Sequence, residues 1–551
     1  MSTDTFPAQA PPAPSEVFAP PAKVRRRVSV GNISLSRWGA LAISAVVILV
    51  SVWLRTRGIR AYYWIDEGLS VGIASHPLTQ IPSLLHQDGS PPLYYMLLHV
   101  WMSAFGRGEV ATHLLSLVFA LLSIPVAYWA GKSLFSRRAG VMCALLAAGA
   151  PYLNQYSQET RMYALLALLS LVTCAAFVHA FVQRRRGYLP VFSLGLTAAL
   201  YTHNWALFLG LMAGVAFLVC LRSAPSEERR ALWRDGALAF GGVAVLYAPW
   251  VPTLLYQARH TGAPWDLGPV IWSVTQGLYS LVAGRGPAVA LLFGAGVGLL
   301  ALRQLSTRKG MAAFWEPRDP QRLLLAATCL LILGIGTILI AWAYSKLTPA
   351  WALRYLAVIV GPLILVFGLG LARTGRLGVV ALALAVWFWL LTPVTSSLTS
   401  KSNVGRVVPA LRANLGSDPL VLSTQPEQVP TVAYYLPGAS RFVTPMGPVR
   451  DPRVVDWRNA LNRLRRSSVS SVLMPAVDAL RPGEHVLLVV PVGLANTPLW
   501  LKLINRYSVQ WAHALSRDRS LRMISSSAKG APGSGTGVRA TLFVVRSSPA
   551  A

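Results

Sequence analysis

Residues 323–345 read LLLAATCLLILGIGTILIAWAYS and contain no charged side chain. A bilayer core about 30 Å thick needs roughly 20 mostly apolar residues per helix, so this stretch predicts a membrane span. Together with similar stretches elsewhere, it predicts a polytopic α-helical membrane protein with about eleven transmembrane helices. The predicted spans lie near residues 38–54, 112–131, 139–154, 162–182, 188–203, 205–221, 236–252, 287–302, 323–345, 355–372 and 377–397.

The composition excludes an ordinary soluble protein. Of the 551 residues, 54% are hydrophobic and 13% are charged, and the mean hydropathy is +0.50. Soluble domains carry about 25% charged residues. A net charge of +30 would indicate a nucleic-acid partner in a soluble chain. Here 21 of the 50 Lys and Arg residues lie in the N-terminal tail and in the loops predicted to be cytoplasmic, so no nucleic-acid partner is expected.

The positions of the basic residues predict the orientation, because short cytoplasmic loops collect Lys and Arg. We place Arg25–Arg27 in the cytoplasm, within a disordered tail of residues 1–36. The segment 91–105 then has to lie along the outer interface as a helix, within a first outer loop of residues 55–111. This arrangement predicts a plasma-membrane protein with a cytoplasmic N-terminus and an outer C-terminus. The basic loops that share the cytoplasmic side are 132–138, 184–186, 222–234, 303–322 and 373–376.

Residues 401–551 differ in pattern from the multispan region 37–400. Short apolar runs typical of strands alternate with stretches typical of helices, which predicts an extracytoplasmic α/β domain. This domain holds 19 Lys and Arg against seven acidic residues, a net charge of +12. Residues 525–538, SSSAKGAPGSGTGV, are expected to form a flexible loop. The predicted strands are PLVLS, RFVTP, HVLLVVPV and ATLFVV, and the predicted helices are VPTVAYYL and TPLWLKLINRYSVQWAHAL.

Carboxylates at the outer ends of spans are the first candidates for chemistry, because charge near a membrane core is costly. Asp66 and Glu67 follow an aromatic run, and one of two adjacent carboxylates can accept a proton from a hydroxyl. The structural alternative is that both acids stabilise the N-terminus of a helix. Gln158, Glu159 and Arg161 return to the same side after the third span; an isolated Glu/Arg pair there could equally be a local ion pair.

Two further residues lie at outer span ends. His203 stands in LYTHNW, where a hydrogen-bonded interfacial role is the alternative to substrate binding. Arg354 lies in the apolar run KLTPAWALRYLAV, where a guanidinium can bind a phosphate at two points. The alternative for Arg354 is that its side chain reaches the membrane interface without a ligand.

Taken together, these segments resemble the glycosyltransferase family 39-like group, the superfamily of dolichyl-phosphate-mannose protein mannosyltransferases and aminoarabinose transferases. The resemblance covers about residues 38–400 and rests chiefly on the order of three motifs in one module: the Asp66-Glu67 pair, PPLYY and QETRMY. It implies a GT-C fold. The segments that carry it include WIDEGLS, SPPLYYMLLHVW, QETRMY, LYTHNW, LYAPWVPTLL and LRYLAVIVGPL.

The resemblance implies transfer of a sugar from a polyprenyl-phosphate donor to an acceptor hydroxyl of a glycan, lipid or protein, by an inverting single displacement on the outer face. By position, Asp66 would be the general base with Glu67 beside it, and Arg354 would bind the lipid phosphate. The resemblance further assigns substrate binding to Tyr94, Gln158, Glu159, Arg161 and His203.

One position departs from the family pattern. Ser90 stands where members often have His or Lys before the two prolines, a residue that can contact phosphate or metal. Asp88 and His86 are the nearby residues that could substitute. No cofactor is expected beyond the lipid-linked donor, and the sequence gives no other support for a divalent metal.

Two other classes of protein share parts of this pattern. A transporter or lipid-carrier flippase would also have many spans, but it would carry charged residues near span centres and internal symmetry. A non-catalytic scaffold would leave the acidic pair and QETRMY without a role. The candidate residues collect at outer span ends, which favours surface chemistry.

Overall fold

The computed structural model describes residue 2 and residues 37–307, 319–391, 398–416, 418–527 and 537–547. Most of the predicted N-terminal tail therefore lies outside the described residues. Internal packing divides the chain into Met1–Val46 and Val47–Ala551, and all contacts given below lie within the second unit.

Helices dominate the region up to residue 391. The longer helices share long runs of apolar residues. In each helix the backbone N–H and C=O groups bond to one another, so no polar backbone group is left without a partner in a membrane. The helices are α1 Arg37–Leu54, α2 Ile65–Ala74, α3 Ile81–Asp88, α4 Leu93–Phe105, α5 Glu109–Leu134, α6 Arg137–Gly149, α7 Pro151–Tyr156, α8 Tyr163–Phe177, α9 Leu189–Leu200, α10 Ala206–Ser223, α11 Ser226–Tyr247, α12 Val251–His260, α13 Ser273–Leu281, α14 Arg285–Thr307, α15 Pro320–Leu331, α16 Thr337–Leu347, α17 Ala357–Arg373 and α18 Arg376–Leu391.

Within the described residues, seven helical stretches are long and apolar enough to cross a membrane. Each coincides with a predicted span, so the polytopic helical class is confirmed. Short π-helical or 3-10 segments join neighbouring helices inside some of them, as Ile332–Gly336 does between α15 and α16. The seven are Glu109–Leu134, Tyr163–Val182, Ala206–Ser223, Ser226–His260, Arg285–Gln304, Pro320–Leu347 and Leu353–Arg373.

Three of the other four predicted spans form shorter helices, and the count of about eleven stays a prediction. The stretch 139–154 is divided at Ala150 between α6 and α7, because Pro151 starts a new helix. Helix α9 has 12 residues and α18 has 16. The first predicted span coincides with α1, Arg37–Leu54, which has 18 residues.

The first outer loop contains three helices, of which the sequence predicted only one. Helix α4 has 13 residues, too few to cross a bilayer, which agrees with the expectation that 91–105 does not span. Helix α2 begins at Ile65 and places Asp66 and Glu67 in its first turn, where carboxylates favour the helix dipole.

The C-terminal region is an α/β domain, as predicted. Its six-stranded sheet has the order β3-β2-β1-β4-β6-β5. Strand β1 lies between β2 and β4 and is parallel to both, whereas β3, β5 and β6 are antiparallel to their neighbours. The elements are α19 Val404–Ala410, β1 Leu420–Ser423, α20 Val429–Tyr435, β2 Arg441–Thr444, β3 Gly447–Val449, α21 Ala460–Arg465, α22 Met474–Asp478, β4 His485–Val492, α23 Leu499–Arg517, β5 Leu521–Ser526 and β6 Gly537–Val545.

Each predicted strand and helix of this domain has its counterpart, while β3 and β5 were missed. Strand β5 is mostly exposed and polar, so it lacks the apolar alternation that reveals a strand. The predicted loop 525–538 is wrong at its ends, because β5 extends through Ser526 and β6 begins at Gly537. Residues 528–536 lie outside the described residues.

Helix α2 is one of the elements through which the membrane region meets the sheet domain. Its glycines face the domain one turn apart: a Cβ on Gly68 would lie 2.9 Å from Cβ of Thr431, and one on Gly72 would overlap the carbonyl of Arg453. Such separations are too short for a side chain, so only glycine allows this packing. The close fit fixes the helix that carries the acidic pair.

Candidate active site

Asp66 and Glu67 point in different directions, because consecutive residues of an α-helix are about 100° apart around its axis. The side chain of Asp66 is 19% exposed, and that of Glu67 is 0% exposed. Of the two adjacent carboxylates, only Asp66 is accessible to a substrate.

Glu67 is held by donors from four parts of the chain. Lys401 Nζ lies 2.8 Å from Oε2 and 2.9 Å from Oε1, and His113 Nε2 lies 2.7 Å from Oε1. The backbone N–H groups of Thr160 and Trp64 also donate to it, at 2.9 and 3.2 Å. Burial raises the pKa of Glu67, but the charges of Lys401 and His113 outweigh it and lower the pKa to about 2.

Asp66 faces two arginines that are distant in sequence. Its Oδ2 lies 3.6 Å from Nε of Arg354 and 3.9 Å from Nη2 of Arg161. Arg161 is anchored to the same helix, because Nη1 donates to the Asp66 carbonyl at 3.2 Å and to Ser70 Oγ at 3.0 Å. The structure thus brings together three residues that the sequence nominated separately.

Each of the two guanidinium groups has an N–H donor without a hydrogen-bond partner among the described residues. The Nε atoms of Arg161 and Arg354 are buried and have no hydrogen-bond partner among the described residues. The guanidinium of Arg354 also lies over the rings of Trp64 and Tyr355, with its central carbon 5.7 and 5.4 Å from their centroids. A buried donor without a partner is costly, so this pair of cations around one carboxylate suits an anionic ligand.

Glu159 lies in the same electrostatic environment without a direct partner for its Oε2 among the described residues. Burial raises its pKa to about 7; the charge of Lys401 opposes this increase, while Glu67 and Asp66 add to it. The predicted pair between Glu159 and Arg161 is not what the structure contains, since Arg161 pairs with Asp66.

His203 lies beside the arginine cluster as a neutral ring. Its Nδ1 accepts the N–H of Trp205 at 3.1 Å, which leaves the ring proton on Nε2. Burial and the charges of Arg161 and Arg354 lower its pKa to about 3. The ring centroid lies 4.7 Å from that of Tyr355.

Gln158 and Tyr94 have different surroundings. The Oε1 of Gln158 accepts the N–H of Gly58 at 2.6 Å and its Nε2 donates to Asn154, so its amide ties two loops together. Tyr94 is fully buried, and its hydroxyl has no partner among the described residues. The structure therefore uses Gln158 in the scaffold and encloses Tyr94 in the interior.

Asp88 and His86, the two candidate metal ligands, have different surroundings. Burial raises the pKa of Asp88. The charge of Arg161 lowers this pKa and that of Asp66 raises it, so Asp88 lies within reach of the cluster of Asp66, Arg161 and Arg354. The His86 ring instead stacks on Tyr256, with centroids 3.8 Å apart. In the part of the chain that the structure describes, no group of three or more His, Cys, Asp or Glu residues could hold a metal ion.

Sequence reasoning missed the residues that hold the site from outside the motifs. Lys401 is separated from Glu67 by 334 positions, and His113 lies inside an apolar helix. Glu427, in the sheet domain, was also missed. Burial raises the pKa of Glu427, and the charge of Asp66 adds to this increase. A buried basic residue at the start of the soluble domain has no local sequence signal that distinguishes it from a surface lysine.

An apolar cavity of about 230 Å³ lies among the membrane helices next to the cluster. Its lining includes Tyr152, Leu363, Ile364 and Trp389. The hydroxyl of Tyr152 donates to the carbonyl of Arg354 at 2.5 Å, which connects the cavity wall to the arginine that faces Asp66.

Comparison with known proteins agrees with the resemblance seen in the sequence. Residues 89–253 match the family described as dolichyl-phosphate-mannose-protein mannosyltransferase. No curated protein matches the chain. The family match includes PPLYY, QETRMY and LYTHNW, but not Asp66 or Arg354.

Solved structures show the same fold over nearly the whole chain. The apo structure of ArnT from Cupriavidus metallidurans is 14% identical with a TM-score of 0.62, covering 91% of this chain and 98% of that one. The apo oligosaccharyltransferase of Archaeoglobus fulgidus is 13% identical with a TM-score of 0.53, covering 90% and 80%. The Archaeoglobus fulgidus oligosaccharyltransferase AglB in complex with an inhibitory peptide and a dolichol-phosphate is 11% identical with a TM-score of 0.50, covering 82% and 70%. The chain is a multi-pass membrane protein with a GT-C-like fold.

Proposed function

We propose, on the premise that residues 89–253 belong to the dolichyl-phosphate-mannose-protein mannosyltransferase family, that this chain transfers a sugar from a polyprenyl phosphate to an acceptor hydroxyl. The acceptor is a glycan, a lipid or a protein, and the reaction takes place on the outer face of the plasma membrane. The observation that carries the proposal is the cluster of Asp66, Arg161 and Arg354, an accessible carboxylate beside two cations.

Asp66 is the general base of the proposed reaction. Its carboxylate accepts the proton of the acceptor hydroxyl while the hydroxyl oxygen forms a bond to the anomeric carbon of the sugar. The bond from that carbon to the phosphate oxygen breaks, and its electron pair leaves on the phosphate. One displacement of this kind inverts the anomeric configuration. Glu67 has no accessible face and acts as a positioning residue for α2.

Arg354 binds the phosphate of the lipid carrier. Its Nε has no other hydrogen-bond partner among the described residues, and a cation there offsets the charge that grows on the leaving phosphate. Arg161 is already bonded to Ser70 and the Asp66 backbone, so it orients the carboxylate and adds positive charge. The neutral His203 ring, with its proton on Nε2, is a donor to the substrate beside them.

The apolar cavity supports a lipid-linked donor. Its lining is almost entirely hydrocarbon, and Tyr152 links its wall to Arg354. A carrier whose phosphate contacts Arg354 could place the first part of its isoprenoid chain in this cavity. The AglB structure named above holds a dolichol-phosphate, a lipid of the same chemical class.

The experiment that tests the proposal uses the purified full-length protein. It is incubated with a panel of labelled undecaprenyl-phosphate sugars and, as acceptors, the solubilised lipids and glycans of the host membrane. Release of undecaprenyl phosphate together with transfer of label from one donor identifies the sugar. General-base help is worth about 10²–10⁴ in rate, so Asp66→Asn should lower kcat by about that factor while donor binding is retained.

The matched control is Asp478→Asn, which removes an exposed carboxylate of the sheet domain. This variant should turn over like the wild type. Asp66→Asn protein that is monodisperse and still transfers sugar at the wild-type rate would refute the assignment of the base. A wild-type protein that transfers none of the donors would refute the proposed reaction.

A further inference from the structure

The strand order of the sheet domain reverses close to the helix that carries Asp66. Strand β1 is followed by the 3-10 turn Pro426–Gln428 and helix α20, which leads to β2 on one side of β1. Strand β4 pairs with the other side of β1 and is also parallel to it. The strand order therefore reverses between β1 and β4. In open α/β sheets, ligands bind outside the carboxyl ends of the strands at such a point.

The connections after β1 and β4 meet at this position. Glu427 follows β1, and Trp500 lies in the first turn of α23, after β4. The indole Nε1 of Trp500 donates to Oε1 of Glu427 at 3.1 Å, and the amide of Gln425 donates to the same oxygen at 3.0 Å. One oxygen of Glu427 is thus fixed, which sets the direction of the other.

Polar atoms here are buried without partners. Gln425, Glu427 and Gln428 are only 5%, 6% and 1% exposed. Oε2 of Glu427 and both amide atoms of Gln428 have no hydrogen-bond partner among the described residues. Leaving such a group unpaired in the interior is costly, and each one in a native structure calls for an explanation. A polar ligand supplies one.

This end of β1 faces the helix that carries the proposed base. Helix α2 packs against the turn Pro426–Gln428 and against α20. The hydroxyl of Thr431 in α20 lies 3.5 Å from the carbonyl of Trp64, two residues before Asp66. Burial raises the pKa of Glu427 and the negative charge of Asp66 adds to this increase, while hydrogen bonds from Gln425 and Trp500 oppose it. The unpaired polar atoms on the domain side are thus a carboxyl oxygen and a primary amide, whereas those beside Asp66 belong to the guanidinium groups of Arg161 and Arg354.

These two sets of unpaired groups suit two different parts of one substrate. An anionic phosphate suits the arginines, whereas a carboxyl oxygen and a primary amide suit neutral hydroxyl groups. We propose that Glu427 and Gln428 bind hydroxyl groups of a sugar ring at the transfer site, so that the sheet domain takes part in selecting the sugar. The inference rests on the proposed function. The ring belongs either to the donor or to a sugar acceptor, which share this chemistry.

The test compares Glu427→Gln and Gln428→Ala with the wild type and with Gln510→Ala, a control at an exposed position of α23. Two ligands are titrated: undecaprenyl phosphate alone, and the undecaprenyl-phosphate sugar that the wild type uses. Loss of one or two hydrogen bonds should weaken binding by about tenfold. If the ring is the donor's, the Kd of the sugar-bearing lipid rises about tenfold and that of bare undecaprenyl phosphate is unchanged.

If the ring is the acceptor's, neither Kd changes and the KM for the acceptor rises by that factor. Wild-type values for both lipids and for the acceptor would overturn the inference and leave the proposed function intact. Equal weakening of both lipids would also overturn it, because the residues would then act on the phosphate or on the scaffold. Where Gln428→Ala fails to fold, the isosteric Gln428→Glu takes its place. A wild-type protein inactive with every donor would overturn the proposed function, and this inference with it.

Discussion

The buried pair of Lys401 and Glu67 yields a prediction that needs no substrate. Lys401→Met keeps most of the side chain's length and removes its charge. Nζ lies 2.8 and 2.9 Å from the two carboxylate oxygens, and the two side chains are 9% and 0% exposed. Removing one partner of such a pair costs roughly 3–5 kcal/mol, because the remaining charge stays buried.

The lower end of that range applies here. Glu67 keeps His113 and the N–H groups of Thr160 and Trp64, so it does not lose all its donors. We therefore expect Lys401→Met to lower the free energy of unfolding by about 3 kcal/mol. The same loss removes the largest influence that lowers the pKa of Glu67, so this pKa should rise above its value of about 2.

The assay is thermal or chemical unfolding of the purified protein in one detergent at pH 7, followed by tryptophan fluorescence. A double-mutant cycle with Glu67→Gln separates the pair from its surroundings, because the double variant should be less destabilised than the sum of the single ones. Lys502→Met, at an exposed position, is the control. A Lys401→Met protein as stable as this control, or strictly additive single effects, would refute the reasoning.

Three further outcomes are expected. Arg354→Gln should weaken binding of undecaprenyl phosphate by tenfold or more at unchanged protein yield, measured against the exposed-site control Arg466→Gln; equal loss of yield and binding would indicate a structural arginine instead. The raised pKa of Glu159, about 7, means that the folded protein binds this proton more tightly than the unfolded chain, so wild-type stability falls as pH rises from about 4.5 to 7. Glu159→Gln should remove this decrease in stability. A difference in Tm between the variant and the wild type that stays constant from pH 5 to 8 would contradict the prediction. Leu363→Trp should fill part of the apolar cavity and weaken binding of both undecaprenyl phosphate and farnesyl phosphate, which share the first isoprenoid units, and unchanged Kd values for both lipids would argue against an isoprenoid site.

The sequence predicted those parts of the fold in which local pattern decides the structure. Long apolar runs gave the membrane helices, and alternation gave the buried strands of the sheet domain, such as His485–Val492. Short helices of the first outer loop, such as Ile81–Asp88, were missed because they carry no strong periodicity. The length of the apolar stretch 139–154 predicted one membrane-spanning helix, but Pro151 divides the stretch into two helices.

For the candidate site, motifs identified residues but not their partners. Asp66, Arg161 and Arg354 were each nominated from span ends, and their mutual approach follows only from the packing of three distant segments. Glu67 was placed beside the base as a catalytic residue, whereas its burial and its contact with Lys401 give it a positioning role. Such long-range contacts leave no trace in a local pattern.

The position of Asp66 depends on contacts that all its neighbours in α2 make. Glu67 fixes the helix to α5 and to Lys401, Ser70 binds Arg161, and Gly68 and Gly72 admit the sheet domain at distances that no side chain allows. A base must be held within a few tenths of an ångström of its hydroxyl to be effective. The sheet domain therefore takes part in positioning the proposed base, because α2 packs against both the turn Pro426–Gln428 and α20.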